Sequence, residues 1–558
     1  MSSDLGSLAP LRNEPHERDC PRCERPLTVR DTWTHEVLTA TGPRTVVEVT
    51  LRCPDHRRVV VPPPALTPRK SPFSFDLAAE AGVLRFLHHR QLGEIQEEFH
   101  RRGLPSLPLR TVQRLTDRFA LYHAAVQLGS LLRLREALRR RGGYVLVLDG
   151  TGQPGQMTLE LTDDDESGGT GWTLLAAPIE KEDEKLVRPF LERLRRDLGD
   201  PLAGISDQSV GLREAFRAAF PGVYLILCHY HVLRSIGESL AGARYNRFKT
   251  ELDRSGVKGR LNRFVRRLRR ERGKSREAHS SLAWTEEILS AGKAAQGRAY
   301  PFFWEPLEFH RRCEEVRHRL RVVLSRPGRR GKGAPYRRLE EILGRLSPPP
   351  ESRRRLVQDF PVLMERWRWF ERVRRTLGYR NGPVPLSPSG SLSEKGLERG
   401  RRRLDWLLRK IEEETGRKSR SPLVRELHRA LERVAEKLRR HREELFAPNV
   451  RVRAGRRWKV RRLHRSNGAA ERQFRRLRRH GRRITANKDV EGIVGREGPG
   501  MLLVANLQDS RYVREVYGSL AHLGERFARV SPGALEEAKT LLTRPTGLPS
   551  GRKACGQQ

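Results

Sequence analysis

The run Tyr144-Val145-Leu146-Val147-Leu148 is apolar and rich in β-branched residues, and it ends at once in Asp149-Gly150-Thr151. With no polar alternation it reads as a strand buried on both faces, which requires a sheet covered by helices. A second short run, Gly204-Ile205-Ser206, also ends in an acid, Asp207. The helix after it places Leu212, Ala215, Phe216 and Ala219 on one face and is stopped by Pro221-Gly222. Strands over Met157–Thr162 and Gly171–Ile179 and a helix over Glu184–Leu198 fill the gap, and a strand over Val223–Cys228 follows. Antiparallel strands and then βα alternation predict a mixed sheet with helices on its faces. Two carboxylates on the ends of neighbouring strands can hold one or two Mg²⁺ ions, hard cations that take oxygen ligands. Each can instead merely cap the following turn. Asp163-Asp164-Asp165-Glu166, ahead of Gly168-Gly169, reads as a solvated hairpin tip rather than a metal box.

Upstream, Cys20-Pro-Arg-Cys23 and Cys53-Pro-Asp-His56 flank a segment of alternating polar and apolar residues. Two such knuckles around β-rich sequence predict a zinc ribbon with ligands Cys20, Cys23, Cys53 and His56. Pro62–Pro72 is a Pro-rich linker. Leu92, Ile95 and Phe99, a break at Gly103–Pro108, then Val112, Leu115 and Phe119 predict two helices joined by a turn. If this is a helix-turn-helix, Arg110, Thr111, Gln113 and Arg114 open the helix that reads the major groove; any αα-hairpin has the same period.

Beyond Cys228-His229-Tyr230-His231 the chain turns helical and basic, with Arg263, Arg266, Arg267, Arg269, Arg270 and Arg272 in one segment. Trp304, Trp367, Trp369 and Trp406 lie among arginines. They suit either a surface that stacks bases or ordinary helix packing. Ser421-Pro422 opens a helix with Leu423, Leu427, Leu431, Val434 and Leu438 on one stripe. After Ser466-Asn467-Gly468-Ala469-Ala470-Glu471 comes a helix with Phe474 and Leu477 inward and Arg472, Arg475, Arg476, Arg478, Arg479, Arg482 and Arg483 around the rest. Lys and Arg exceed Asp and Glu by 43. That surplus repels itself unless a polyanion meets it, so nucleic acid is the expected partner. No run approaches the ~20 apolar residues of a membrane span, and Met1–Arg12 has no signal-peptide pattern. Six cysteines in 558 residues make no disulfide framework, which fits a reducing cytoplasm.

Three patterns together resemble the Mutator-like element transposases and their bacterial insertion-sequence relatives. They are the strand ending Leu148-Asp149-Gly150, the block Ile205–Pro221 followed by a strand and Cys228-x-x-His231, and Ser466–Arg479. The resemblance covers roughly 141–231 and 461–506. Gln208 stands where the family usually has Gly, and the 152–167 connection is acidic. It implies a multidomain α+β/α chain: an RNase H-like mixed-sheet core interrupted by a long all-α insertion and preceded by the zinc ribbon and helix-turn-helix. The expected boundaries are 1–66 (zinc ribbon), 78–135 (helix-turn-helix), 140–238 (core, first part), 239–455 (basic helical insertion), 456–510 (core, second part) and 511–558 (C-terminal helices and tail). It further implies catalysis by Asp149, Asp207 and Glu471 on two Mg²⁺ (or Mn²⁺) ions, with Cys228, His231 and Asn467 beside them. Cys228 and His231 would act by packing or hydrogen bonding, or by touching metal or DNA. Arg266, Arg267, Arg472, Arg475, Arg476, Arg479, Trp367 and Trp369 would meet DNA.

The implied activity is DNA transposition: binding of terminal inverted repeats in double-stranded DNA, then strand cleavage and transfer to target DNA. The implied agent is a homodimer or larger assembly, cytoplasmic and nucleoid-associated in a prokaryote. The alternative is a domesticated, transposase-derived DNA-binding regulator without catalysis; an RNA-processing nuclease on the same fold is a third reading.

Overall fold

The two apolar runs are strands of one sheet in the computed structural model. It describes residues 10–153, 156–164, 171–271, 275–294, 300–325, 333–346, 354–379, 391–454, 457–486 and 489–543. Asp165, Glu166, Arg272, Pro327, Pro348–Pro350 and the tail from 544 lie outside those residues.

The strands are β1 (Leu11–Asn13), β2 (Thr28–Thr39), β3 (Gly42–Arg52), β4 (Val60–Val61), β5 (Val145–Gln153), β6 (Gln156–Asp163), β7 (Thr173–Ile179), β8 (Ala203–Ser206), β9 (Leu225–Leu227), β10 (Val450–Ala454) and β11 (Arg457–Arg461). The chain divides into two units: one of 1–225, 450–461 and 467–558, the other of 226–449 and 462–466.

The larger sheet is ordered β7-β6-β5-β8-β9, and its strands β5 to β8 belong to the first unit. β5 pairs antiparallel with β6 and parallel with β8, and β6 pairs antiparallel with β7, so the sheet is mixed. Val145 through Leu148 are buried, as an all-apolar central strand must be. The helix Val210–Ala219 buries Leu212, Ala215, Phe216 and Ala219, the face its periodicity predicts. A Cβ on Gly204 would sit 2.5 Å from the Phe216 ring, so a larger residue in β8 would push that helix off the sheet.

The edge strand β7 does not leave its backbone open. Gln127 Nε2 donates to the Thr173 and Leu174 carbonyls, while Thr173 N–H donates to Asn506 Oδ1. Side chains from the helix Leu109–Gly129 and from Ala505–Gln508 thus satisfy groups that would otherwise invite another strand. The predicted helix pair is present as Leu92–Arg101 and Leu109–Gly129, the second burying Val112, Leu115 and Phe119. Near the N-terminus, β2 and β3 form a long antiparallel hairpin with β1 and β4 against β3.

The second unit is built on long helices, among them His229–Arg254, Glu305–Leu324, Arg354–Thr376, Glu394–Thr415 and Pro422–Arg440. Its core gathers Leu233, Ile236, Leu240, Phe248, Leu363, Phe370, Leu404, Leu431 and Val434. Arg244 is buried there and ion-pairs with Asp359 and Glu426. Among the described residues no helix is long and apolar enough to cross a membrane.

Several expectations are corrected. The helical insertion does not run to 455: Val450–Ala454 is strand β10, paired antiparallel with β11. Alternating Val450, Arg451, Val452 and Arg453 suits a ribbon with one face inward, a period of two hidden among arginines that also look helical. Asp163 and Asp164 are not solvated: they are 0% and 3% exposed, and Asp163 accepts from Val145 N–H and pairs with Arg141 at 3.0 Å. Leu423 lies outside the buried stripe of its helix, 37% exposed.

Trp369 is not a DNA-facing residue. It is 3% exposed, with the Arg372 guanidinium 4.2 Å over its ring. Trp367 is half-buried and packs against Trp304 and Phe370 at centroid separations of 5.4 and 5.8 Å. Large rings on a long amphipathic helix lose more by facing water than by joining its core. Trp369→Ala is therefore expected to cost about 3 kcal/mol of stability, read as an earlier denaturation midpoint of the helical unit.

Candidate functional site

Asp149 sits mid-way along β5, and the register places Glu160 of β6 directly opposite it. Opposed residues of an antiparallel pair project from the same face, so two carboxylates meet where like charges repel. Glu160 is fully buried. Its Oε1 accepts from the Thr162 and Thr173 hydroxyls at 3.0 and 3.1 Å, and its Oε2 has no hydrogen-bond partner among the described residues. Burial pushes its pKa up to about 7 against those two hydroxyls.

Asp207 follows β8, the parallel neighbour of β5. Its Oδ1 accepts from Ser209 N–H at 2.8 Å, so it does cap the turn into the helix Val210–Ala219. It also raises the pKa of Asp149, so the two roles coexist. Glu471 lies in the first turn of the helix Gly468–Thr485, where the helix dipole favours an anion. Just before it, Asn467 is 1% exposed and its Nδ2 donates to Asp149 Oδ2 at 2.6 Å. Sequence positions far apart thus converge on one carboxyl.

A fifth acid was not legible in the sequence. Glu182, between β7 and the helix Glu184–Leu198, reaches over Gly150: a Cβ there would lie 2.1 Å from Glu182 Oε1. A Cβ on Gly211 would lie 1.9 Å from the Glu182 carbonyl oxygen. Two glycines therefore admit this turn beside Asp149, and the close approach is what an absent side chain permits. The Glu182 pKa is raised by burial and by Asp207, against a hydrogen bond from the Ser209 side chain.

Asp149 carries the sum of these effects. It is 7% exposed, and its pKa is raised well above the usual carboxylate range by burial first, then by Asp207, Glu160, Glu471 and Glu182. Carboxylates are the ligand type that hard cations take, but among the described residues no three of these acids bring oxygens within 4.8 Å of one another.

The tightest ligand set is Cys20, Cys23, Cys53 and His56, whose donor atoms all lie within 4.8 Å of one another. Cys23 and Cys53 Sγ are 3.7 Å apart, as are Cys53 Sγ and His56 Nδ1, with Cys20 Sγ 4.0 Å from that nitrogen. Tetrahedral Zn²⁺ with Zn–S of about 2.3 Å and Zn–N of about 2.0 Å requires S···S near 3.8 Å and S···N near 3.6 Å. The four residues can bind zinc.

The remaining expected residues fall as follows. Arg110 and Arg114 are exposed on the first turns of Leu109–Gly129, Thr111 and Gln113 are half-buried, and Gln113 donates to Asp117 at 2.6 Å. Arg475 and Arg479 are exposed; Arg472 and Arg476 are half-buried, with Arg472 3.9 Å from Asp164. In the second unit Arg266 and Arg267 are exposed, Arg267 pairing with Glu271. There Cys228 is buried at the start of the helix His229–Arg254, and among the described residues neither it nor His231 joins a set of three possible metal ligands. Comparison with protein-family models and with curated proteins finds no match to this chain.

Proposed function

We propose that this chain is a DNA transposase of the DDE type, with Asp149, Asp207 and Glu471 as its catalytic acids on an RNase H-like core. One observation carries the reading: a buried aspartate on a central strand, held by Asn467, is surrounded by four further acids in a protein with 43 excess positive charges. Buried like charges are costly to assemble without a counter-charge, so they mark a functional site more often than a structural one. The sheet order, with an antiparallel hairpin leading into a parallel βα unit and the third acid returning on a late helix, supports the core assignment.

Asp149, Asp207 and Glu471 would hold Mg²⁺ or Mn²⁺; bound ions would activate a water or a DNA 3′-hydroxyl and stabilise the leaving oxygen. The protein's own share is positional. Asn467 fixes the orientation of Asp149 through its Oδ2, and the Ser209 amide does the same for Asp207. Exposed Arg475 and Arg479, on the helix that carries Glu471, would neutralise phosphates near the reacting strand. Terminal inverted repeats would be bound through the helix Leu109–Gly129 and the zinc-binding module, by an assembly that holds two ends.

The test is a nicking assay on supercoiled and linear duplex DNA with Mg²⁺ or Mn²⁺. Wild type is expected to cut and to join ends, and Asp207→Ala and Glu471→Gln to bind duplex normally without cutting. Duplex binding with no scission by wild type in either ion would make the chain a DNA-binding regulator, and preferential cutting of RNA would make it a ribonuclease.

A further inference from the structure

The ribbon β10–β11 sorts its side chains into two unlike faces. Register pairs Arg451 with Val460 and Arg453 with Trp458, so these four share one face; Val450, Val452, Arg457, Lys459 and Arg461 share the other. The second face is moored to the first unit. Val452 is 3% exposed and lies 3.4 Å from where a Cβ on Gly142 would be. Arg461 is also 3% exposed, and its two terminal nitrogens donate to the Gly143 and Asp164 carbonyls, each at 2.8 Å. The first face is turned to solvent: Trp458 is 65% exposed, Val460 50%, and Arg451 and Arg453 are exposed beside them. A tryptophan left this bare between two arginines on a rigidly moored ribbon has the composition of a contact surface, not of a solvated edge.

We propose that this outer face is a DNA-reading element that enters the major groove of duplex DNA. The occupant follows from size and chemistry. The major groove, about 12 Å wide, admits a two-stranded ribbon. Arginine donors match the O6 and N7 acceptors of guanine, and Trp458 and Val460 offer apolar surface to thymine methyl groups. The inference rests on the reading that the partner is DNA, and it adds a second sequence-reading element outside the helix pair.

The experiment is duplex binding in EDTA, where no strand can be cut, using a randomised duplex pool and the sequences wild type enriches from it. Trp458→Ala and the pair Arg451→Ser/Arg453→Ser are each expected to weaken binding to the enriched duplex about tenfold. Both should flatten its preference over a scrambled duplex and leave the thermal midpoint unchanged, because these side chains are exposed. Wild-type affinity and selectivity in both variants would overturn the inference, as would equal losses on the enriched duplex and on heparin, a polyanion without grooves. Scission by wild type is irrelevant to these readings: a chain that never cuts DNA but loses selectivity with Trp458 upholds the ribbon, and one that cuts normally with selectivity untouched removes it while sparing the acidic site.

Discussion

Asp149→Asn is expected to abolish metal-dependent strand cleavage while making the metal-free protein more stable. The loss should be about a thousandfold or more, which at 1.36 kcal/mol per decade is ~4 kcal/mol of transition-state stabilisation. The amide keeps the shape of the side chain and an oxygen for the Asn467 Nδ2 donor, so the packing around β5 survives. What disappears is the charge that Asp207, Glu160, Glu471 and Glu182 oppose. Most substitutions of a buried residue lower stability, so activity lost together with a raised midpoint separates a functional acid from a structural one. A lowered midpoint, or cleavage near the wild-type rate, would remove Asp149 from the role proposed for it.

The same charges fix the pH dependence. For an acid whose folded pKa is raised, both states are protonated at low pH and no penalty exists. The penalty appears as pH climbs past the unfolded pKa, near 4, and is complete above the folded one. Glu160, raised to about 7 by burial, sets a window between about pH 4 and 7, and Asp149, raised by burial and then by its neighbours, acts in the same direction. Metal-free wild type should therefore gain stability as pH falls from 8 to 5, and Asp149→Asn should gain less. Added Mg²⁺ should raise the wild-type midpoint more at pH 8 than at pH 5, where protons compete for the same oxygens. Thermal scans with EDTA and with Mg²⁺ at the two values check each sign.

How much of this the residues announced depends on the range of the interaction. Asp149 and Asp207 were legible because each follows an apolar run, a local pattern that sets its burial; only Asp207 stands at a strand end, since β5 continues past Asp149 to Gln153. Glu471 was legible only through a resemblance, since nothing within its helix marks one acid among so many arginines. Glu160 and Glu182 were not legible. The first becomes a neighbour of Asp149 only through the β5–β6 register, and the second only because Gly150 and Gly211 leave room for a turn. The glycine after Asp149 was the available signal, yet a glycine in sequence does not say what approaches it.

The misplaced expectations share another cause. Trp369 among arginines looks like a base-stacking surface in composition, but helical period decides which way a side chain faces, and its position is inward. Asp163 and Asp164 looked solvated because acids ahead of two glycines usually are; Arg141, 3.0 Å from Asp163, makes the burial tolerable. The ribbon was hidden because its alternation is short and Arg-rich.

Cys53→Ser is expected to strip zinc from the protein and to unfold the N-terminal β-module alone. That module has little else to hold it: Val37, Val46, Val49 and Leu51 are its buried apolar side chains apart from the cysteines, and Thr28 through Thr34 of β2 are exposed. A long hairpin with so thin a core is marginal in water, so ligand closure has to supply the rest. The thiols are prepared for it. At Cys20, burial opposes the thiolate but is outweighed by the Arg22 and Cys23 amides and the neighbouring thiols, which bring its pKa down to about 6. Cys23 is the other half of that pair: the Arg25 amide favours its thiolate, yet burial and the Cys20 and Cys53 thiols leave it raised. Protons compete with the metal for these sulfurs, so zinc affinity should fall as pH falls. The sulfurs of Cys23 and Cys53, 3.7 Å apart, are far beyond the ~2.05 Å of a disulfide. Metal analysis should find one zinc per wild-type chain and a loss of affinity of at least about a hundredfold in Cys53→Ser, beyond what outer-shell changes cause. Amide exchange should become fast across β2 and β3 while β5 stays protected. Full zinc in Cys53→Ser, or slow exchange across the hairpin in zinc-free protein, would show that the strands hold themselves and that the four residues are not a metal centre.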